Sequence, residues 1–409
     1  MELISLRSKG ESVKKGVSVF LLAVSIICLT SQVNVFAQET AKFGVILPFS
    51  GENKEIGEKI RKGCLIAQDK LNSAGGFTQG IYAGKKLELI FVDCNSDLAK
   101  TAEIAEKFVQ EYKYPIILGG YSSSSSEMIS EVAQKYRVPY LCQTGSADKL
   151  TQAGNDMIFR LTPSTSQYTA GLQDFLLCVV KPQTMAILFE DTELGESSYK
   201  AMKTFCDANN INIVFEQAYQ ANSPDYNEML LSMKLTNPDV VFMGSYLMDA
   251  ILLVKQTDEL GIKLKLIAGS AYGFGLPEFP EGAGRASENV VTAALWAEDV
   301  AYKGAAEFVR DYKNLYDDSV TYNVAEGHAL VEVLIDVLKR TASSSKEDIT
   351  AALKATNIET VFAPIQFFDF DNYTNQNRVK TLMMQVQAGK LKTVWPEVSA
   401  NVKVVYPIN

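Results

Sequence analysis

The feature that most constrains this chain is a strict alternation of short apolar runs with helix-spaced amphipathic segments. Lys42–Phe49 reads as a buried strand, and Glu55–Leu71 follows with Ile56, Ile60, Cys64, Ala67 and Leu71 on one face. Gly75-Gly76 stops that helix. Strands at 87–92, 115–118 and 138–142 then alternate with helices at 97–112 and 124–136. After Met157–Leu161 the pattern restarts. Helices at 166–179, 197–208, 225–235 and 248–260 alternate with strands at 184–189, 211–215, 240–243 and 264–268. Such alternation demands parallel sheets with helices on both faces, and two rounds of it predict two doubly wound α/β lobes. The 409 residues exceed what one compact domain usually holds. Residues 269–286, rich in Gly and Pro, read as a long loop. Beyond a strand at 290–294 come helices at 305–315, 324–340 and 349–355, then strands at 361–367, 381–386 and 391–394.

The first 37 residues stand apart. Arg7, Lys9, Lys14 and Lys15 precede the apolar run Val17–Leu29, and Val35-Phe36-Ala37 offers a small-residue cleavage pattern. That order predicts a secretory signal removed after Ala37. Thirteen apolar residues fall short of the about 20 that span a bilayer. Cys28 follows Ile27, where lipidation wants a small side chain, so a lipid anchor is not expected. The net charge of −9 argues against a nucleic-acid partner. Five cysteines follow the signal, none in C-x-x-C spacing, and most sit in apolar segments as buried thiols do.

The catalytic inventory is thin. His328 is the one histidine and lies within an apolar-spaced helix, a structural setting. It leaves no partner for a metal cluster, and neither a G-x-S-x-G elbow nor a phosphate-binding G-x-x-x-x-G-K-[ST] loop is present. Asp369-Phe370-Asp371-Asn372 begins like a calcium loop, but Tyr373 and Thr374 stand where an oxygen ligand and a glycine belong, so a solvated turn is expected. Neither an enzyme nor a cofactor is predicted.

The informative segment is Gly119-Gly120-Tyr121 followed by five serines, Ser122–Ser126, between a buried strand and a helix. Free backbone N–H groups and the helix dipole favour an anion there, and hydroxyls add donors. A second hydroxyl-rich turn, Gln143-Thr144-Gly145-Ser146, leaves the next strand. Neighbouring strand ends line one crevice in such a sheet, so both turns are predicted to meet one ligand. The turns carry no arginine of the kind that phosphate or dicarboxylate sites use, which suits a small carboxylate.

The motifs KFGVILPFSG, IGEKIRKGCLIAQDKLNSAGG, KKLELIFVDCNSD, ILGGYSSSSS, VPYLCQTGSADKLT, IFRLTPS, NPDVVFMGSY and FFDFDNYTNQ, in this order, resemble the leucine/isoleucine/valine-binding proteins, type I periplasmic binding proteins that serve ABC importers. The resemblance implies lobes built from 38–162 plus 295–367 and from 163–294 plus 368–409, with hinge crossings near Thr162, Ala294 and Phe368. It implies an amino-acid-type ligand between the lobes, membrane permease subunits as partners and, with no lipid anchor to retain it, a periplasmic location. Ser122, Ser123, Thr144, Gly145 and Ser146 match the turns that hold the ligand's α-carboxylate and α-ammonium, and Tyr246 and Tyr322 match pocket aromatics. Three positions depart from the pattern: Ser270 replaces an ammonium-pairing carboxylate, while Leu194 and Ile56 replace aromatics. Either Glu190, Asp191 or Asp249 supplies the missing charge, with the first two best placed at a strand end, or the ligand is not an α-amino acid. A non-amino-acid carboxylate carrier and a ligand-sensing receptor domain remain the alternatives.

Overall fold

Apolar runs continuous enough to be buried on both faces become the central strands of two sheets. In the computed structural model the described residues are 39–407 except Glu52, Ala153, Thr165, Ser166, Thr192 and Lys380, and the side chains of Glu193, Leu194, Ser197 and Tyr272 are likewise outside the description. The expected signal, residues 1–37, lies outside the described residues.

The first round of alternation gives β1 (Thr40–Leu47), α1 (Lys54–Ser73), β2 (Lys86–Asp93), α2 (Leu98–Gln110), β3 (Ile117–Gly119), α3 (Ser123–Tyr136), β4 (Tyr140–Cys142) and β5 (Ile158–Arg160). The second gives α4 (Ala170–Phe175), β6 (Thr184–Glu190), α5 (Glu193–Ala208), β7 (Asn212–Tyr219), α6 (Asn227–Thr236), β8 (Val240–Gly244), α7 (Leu247–Glu259), β9 (Leu266–Gly269), α8 (Ala271–Phe274), α9 (Glu278–Ala283) and β10 (Val291–Ala294). Then follow α10 (Ala305–Tyr316), α11 (Tyr322–Arg340), α12 (Lys346–Lys354), β11 (Asn357–Glu359), β12 (Pro364–Phe370), β13 (Tyr373–Asn377), β14 (Leu382–Gln387) and β15 (Lys390–Trp395). Every residue of β4 and β8 is buried, as parallel strands covered on both faces must be.

The first sheet has the order β11-β12-β13-β5-β4-β3-β1-β2 and the second β15-β14-β10-β9-β8-β6-β7. The pairs among β1 to β5 and among β6 to β10 are parallel. In each sheet the first strand of its round, β1 or β6, lies between its next two, so each has a topological switch point beside it. The turns after β3, β4, β6, β8 and β9 all leave carboxyl ends of parallel strands.

Three expectations are corrected. The chain leaves the first sheet not near Phe368, which lies inside β12, but after β13 ends at Asn377 and before β14 begins at Leu382. The strand expected at 361–367 runs from Pro364 to Phe370, and its turn reverses the chain straight into β13, with Asp371 at φ 49° and the Asp369 carboxylate accepting the Asn375 N–H at 2.9 Å. The Gly/Pro-rich stretch after Gly269 holds α8 and α9, anchored by the buried Phe274 and Phe279, whose rings pack 4.8 Å apart.

All five described cysteines are free, four buried and Cys178 exposed. His328 is buried against the Phe308 ring at 4.7 Å. Among the described residues no helix is long and apolar enough to cross a membrane, and no cluster of His, Cys, Asp and Glu could hold a metal.

Helices α1 and α11 approach so closely that glycine is required on both. A Cβ on Gly63 would meet the Val324 carbonyl oxygen at 2.0 Å, and one on Gly327 would meet that of Ile60 at 2.3 Å. The Cys64 thiol donates to the Gly327 carbonyl at 3.2 Å across the same contact. Gly327→Ala is therefore expected to lower stability by about 1–3 kcal/mol through overpacking. Urea unfolding of the variant checks this, and an unchanged midpoint would show that the helices separate without cost.

Candidate functional site

Gly119 makes the first turn possible. Its φ is +111°, and a Cβ there would lie 2.1 Å from the Ile46 carbonyl oxygen. The chain can then turn sharply out of β3, with the Gly120 N–H still donating to Ile46 at 2.7 Å. Ser122 is the N-cap of α3, its hydroxyl accepting the Ser125 N–H at 3.1 Å. The serine run thus divides its labour. Ser122 caps the helix, Ser125 accepts the Tyr121 N–H at 3.1 Å, and Ser126 is buried. Ser123, the first residue of the helix, remains beside the strand ends.

Ser123 joins the two predicted turns. Its hydroxyl oxygen accepts the backbone N–H groups of Ser146 (3.3 Å) and Ala147 (3.0 Å). In return Thr144 donates its hydroxyl to the Tyr121 carbonyl at 2.9 Å, and the Gln143 amide donates to Gly120 at 2.6 Å. The turns after β3 and β4 are therefore one hydrogen-bonded unit. A hydroxyl that accepts keeps its own proton to donate, so Ser123 can present an O–H outward from this unit.

An arginine does approach the unit, from behind. Arg160 ends β5, fully buried, in register with Cys142 of β4 and Gln376 of β13. Its guanidinium donates to the carbonyls of Ala147 (2.6 Å) and Gly145 (3.4 Å), to Gln376 Oε1 (2.5 Å) and to Thr151 Oγ1 (2.8 Å). Burial lowers its pKa, yet a guanidinium remains protonated. It therefore puts a fixed positive charge beneath the turn while holding that turn's carbonyls away from the ligand side.

In the second sheet Glu190 and Asp249 are structurally engaged. Glu190 ends β6, fully buried, and its carboxylate accepts the Tyr246 N–H at 2.5 Å, where α7 begins. A carboxylate at a helix N-terminus is stabilised by the dipole. Asp249, on the first turn of α7, accepts the Asn222 N–H with both oxygens, at 3.1 and 2.9 Å. Asp191 is exposed. Ser270 is buried, donating its hydroxyl to the Ser245 carbonyl and accepting the Ser245 N–H, both at 3.2 Å. Tyr246 is half exposed at the start of α7. Leu194 lies on α5, its side chain outside the described residues.

Tyr322 opens α11 and is 39% exposed. Behind it lies a residue passed over in the sequence. Glu326, one turn along α11, is fully buried, and burial pushes its carboxyl well above the usual range, with the Thr162 hydroxyl and the Asn323 amide beside it acting in the opposite direction. Its charge would act on the phenols of both Tyr121 and Tyr322. A lone acid inside Asn323-Val324-Ala325-Glu326-Gly327 was a readable signal, because a helix start this apolar leaves a carboxylate nowhere to be solvated.

Surface hollows run along Lys203–Glu216 and between Glu127 and Lys149.

Replacing Arg160 by methionine keeps most of the volume and removes every donor. Ala147 O keeps the Leu150 N–H (3.1 Å) and Gln376 Oε1 keeps the Thr151 hydroxyl (3.0 Å), so the loss of the charged donor from both is expected to cost about 1–3 kcal/mol in all. Chemical denaturation measures this, and wild-type stability in Arg160→Met would remove Arg160 as the brace of the turn.

Residues 40–390 match the family model of the periplasmic binding proteins. The Leu/Ile/Val-binding protein homolog 7 of Brucella suis biovar 1 is 27% identical over 401 residues, covering 93% of this chain and 97% of the relative. Among solved structures, a branched-chain amino acid transporter substrate binding protein from Streptococcus pneumoniae, in complex with isoleucine, superposes with a TM-score of 0.64 at 23% identity, over 90% of this chain and 100% of the other. An ABC transporter solute binding protein from Rhodopseudomonas palustris BisB5, in complex with 3,4-dihydroxybenzoic acid, gives 0.64 at 21% identity, over 90% and 99%. With two α/β lobes of this topology and a family match across nearly all the described residues, the chain belongs to the periplasmic binding protein family.

Proposed function

We propose that this chain is the extracytoplasmic solute-binding component of an ABC importer, exported by its N-terminal signal to the periplasm and delivering its ligand to membrane permease subunits. The ligand is a small carboxylate, with aliphatic amino acids of the branched-chain class as the leading group. One observation carries this reading: the turns after β3 and β4 are locked into a single donor-rich unit at the N-terminus of the 14-residue helix α3, with the Arg160 charge beneath. That is chemistry for one carboxylate. The structural neighbours' two ligands, isoleucine and 3,4-dihydroxybenzoic acid, differ in every other respect but share that group.

A second reading, a carboxylate without an amine, draws support from the second sheet. Glu190 and Asp249 already serve backbone N–H groups, Asp191 faces solvent, and Ser270 carries no charge.

Either reading expects the Ser123 hydroxyl to donate to the ligand. Ser123→Ala should weaken binding of any carboxylate that the wild type binds by about tenfold or more, the cost of one hydrogen bond to a charged group. Calorimetry with isoleucine, leucine and benzoate tests this, and small-angle scattering should show a smaller radius of gyration at saturation as the lobes close. Wild-type affinity in Ser123→Ala would remove the turns from the site, and an unchanged radius would count against closure.

A further inference from the structure

Around the first turn of α11 several buried polar atoms meet no partner in full hydrogen-bond geometry among the described residues, although Thr162 and Asn323 lie close enough to act on the Glu326 carboxyl. These atoms are both carboxyl oxygens of Glu326, the amide nitrogen of Asn323 and the hydroxyls of Thr162 and Thr321. Native proteins rarely leave one such group dry, and a cluster calls for an explanation. Thr162 lies where the chain leaves the first sheet, its carbonyl accepting from Gln376 at 2.9 Å beside the third crossing. Tyr121, from the ligand-side turn, and Tyr322 both lie within the field of Glu326, and Tyr168, from the first crossing, acts on Tyr322.

We propose that Glu326 is the cation subsite of the cleft, pairing with the ammonium of an α-amino acid whose carboxylate rests on the Ser123–Ser146 unit. The inference rests on the small-carboxylate reading and decides between its two branches. Of the buried acids Glu190, Asp249 and Glu326, only Glu326 has both oxygens without a hydrogen-bond partner, since Asp249 spends both on Asn222 and Glu190 spends one on Tyr246. It also has the right neighbours. A carboxyl flanked by tyrosines offers a cation both an opposite charge and aromatic faces. Tyr121 links the two ends of the ligand directly, because its carbonyl takes the Thr144 hydroxyl that helps to lock the carboxylate unit.

The proton balance follows from burial. Burial raises the Glu326 carboxyl well above the usual carboxylate range and so favours its neutral form in the free protein. As the ammonium arrives, the carboxyl gives its proton to solvent, and the new pair is carboxylate with ammonium. The groups facing Glu326 are Tyr121 from the turn after β3, Thr162 from the first crossing, and Asn323 and Tyr322 from α11 itself, with Tyr168 beyond Tyr322. The tyrosines, shifted upward, stay protonated at neutral pH, so Glu326 is the group that releases the proton. Binding that releases this proton strengthens as pH rises.

The test uses the mature protein, L-leucine, and 4-methylpentanoate, which is leucine without its amine. Calorimetry of the wild type in phosphate and in Tris should show about one proton released per leucine and none per 4-methylpentanoate. This needs no variant to fold. Glu326→Gln should weaken leucine by about a hundredfold or more while changing 4-methylpentanoate by less than about threefold. Equal leucine affinity in Glu326→Gln, or leucine binding without proton release, overturns the cation subsite and leaves the carboxylate unit standing. A wild type that takes 4-methylpentanoate but not leucine does the same. A wild type that binds neither overturns both.

Discussion

The hydrogen bonds between the turn after β3 and the turn after β4 govern the rest of this molecule's chemistry. On the proposed reading, the two turns form an anion site only if they are held together. Ser123 does the holding, with one side chain accepting from two consecutive residues of the neighbouring turn. Thr144 and Gln143 close the loop in the other direction, and Arg160 pulls the carbonyls of the second turn backwards. The arrangement depends on parallel register. Gly119 is opposite Cys142 and Cys142 opposite Arg160, so three successive strand ends stop at one level. A one-residue slip would put Ser123 out of reach of Ala147 and turn Arg160 to the other face of the sheet.

How far the sequence foretold this differs by level. The two rounds of strand and helix were legible because parallel strands buried on both faces need apolar runs, and their crossover helices need a 3.6-residue period. The two turns were legible because five consecutive serines exceed what one helix cap requires. Their division of labour was not. Which serine caps, which accepts and which joins the turns depends on where Gly119 bends the chain, and hydroxyls are chemically alike. The third crossing was misplaced because β13, Tyr373–Asn377, is polar: Tyr-Thr-Asn-Gln-Asn reads as loop. It becomes a strand because its side chains serve other crossings, with Gln376 taking Arg160 and bonding Thr162, and Asn377 bonding the Leu161 carbonyl. Tertiary context overrides propensity there.

The acids show the same limit in sharper form. Glu190 is the last residue of β6 and Asp191 the first beyond it, and the two meet opposite surroundings. One is fully buried at the start of α7 and the other is exposed. Neither position alone says which acid meets a ligand, because the buried Glu190 already gives one oxygen to the Tyr246 N–H at a helix N-terminus. The informative acid is the one without such an arrangement. Glu326 sits in the first turns of a helix whose close packing on α1 requires glycine at 327, so its side chain cannot be relieved by moving the helix outward.

On the proposed reading, that constraint would join ligand charge to lobe movement. Thr162 stands where the chain first leaves the first sheet, and Gln376 and Asn377, bonded to Thr162 and Leu161, precede its last departure. Glu326 faces Thr162 from α11, so its protonation state is felt where two crossings run side by side. A neutral acid needs little from its neighbours, whereas a carboxylate there requires a cation within reach. On the proposed reading, only a ligand that brings a cation removes the penalty for ionising Glu326, and it does so beside the segment about which the lobes turn. Closure and recognition of the amine would then draw on one free energy. A carboxylate without an amine could occupy the Ser123–Ser146 unit but would leave Glu326 neutral and the crossings unchanged.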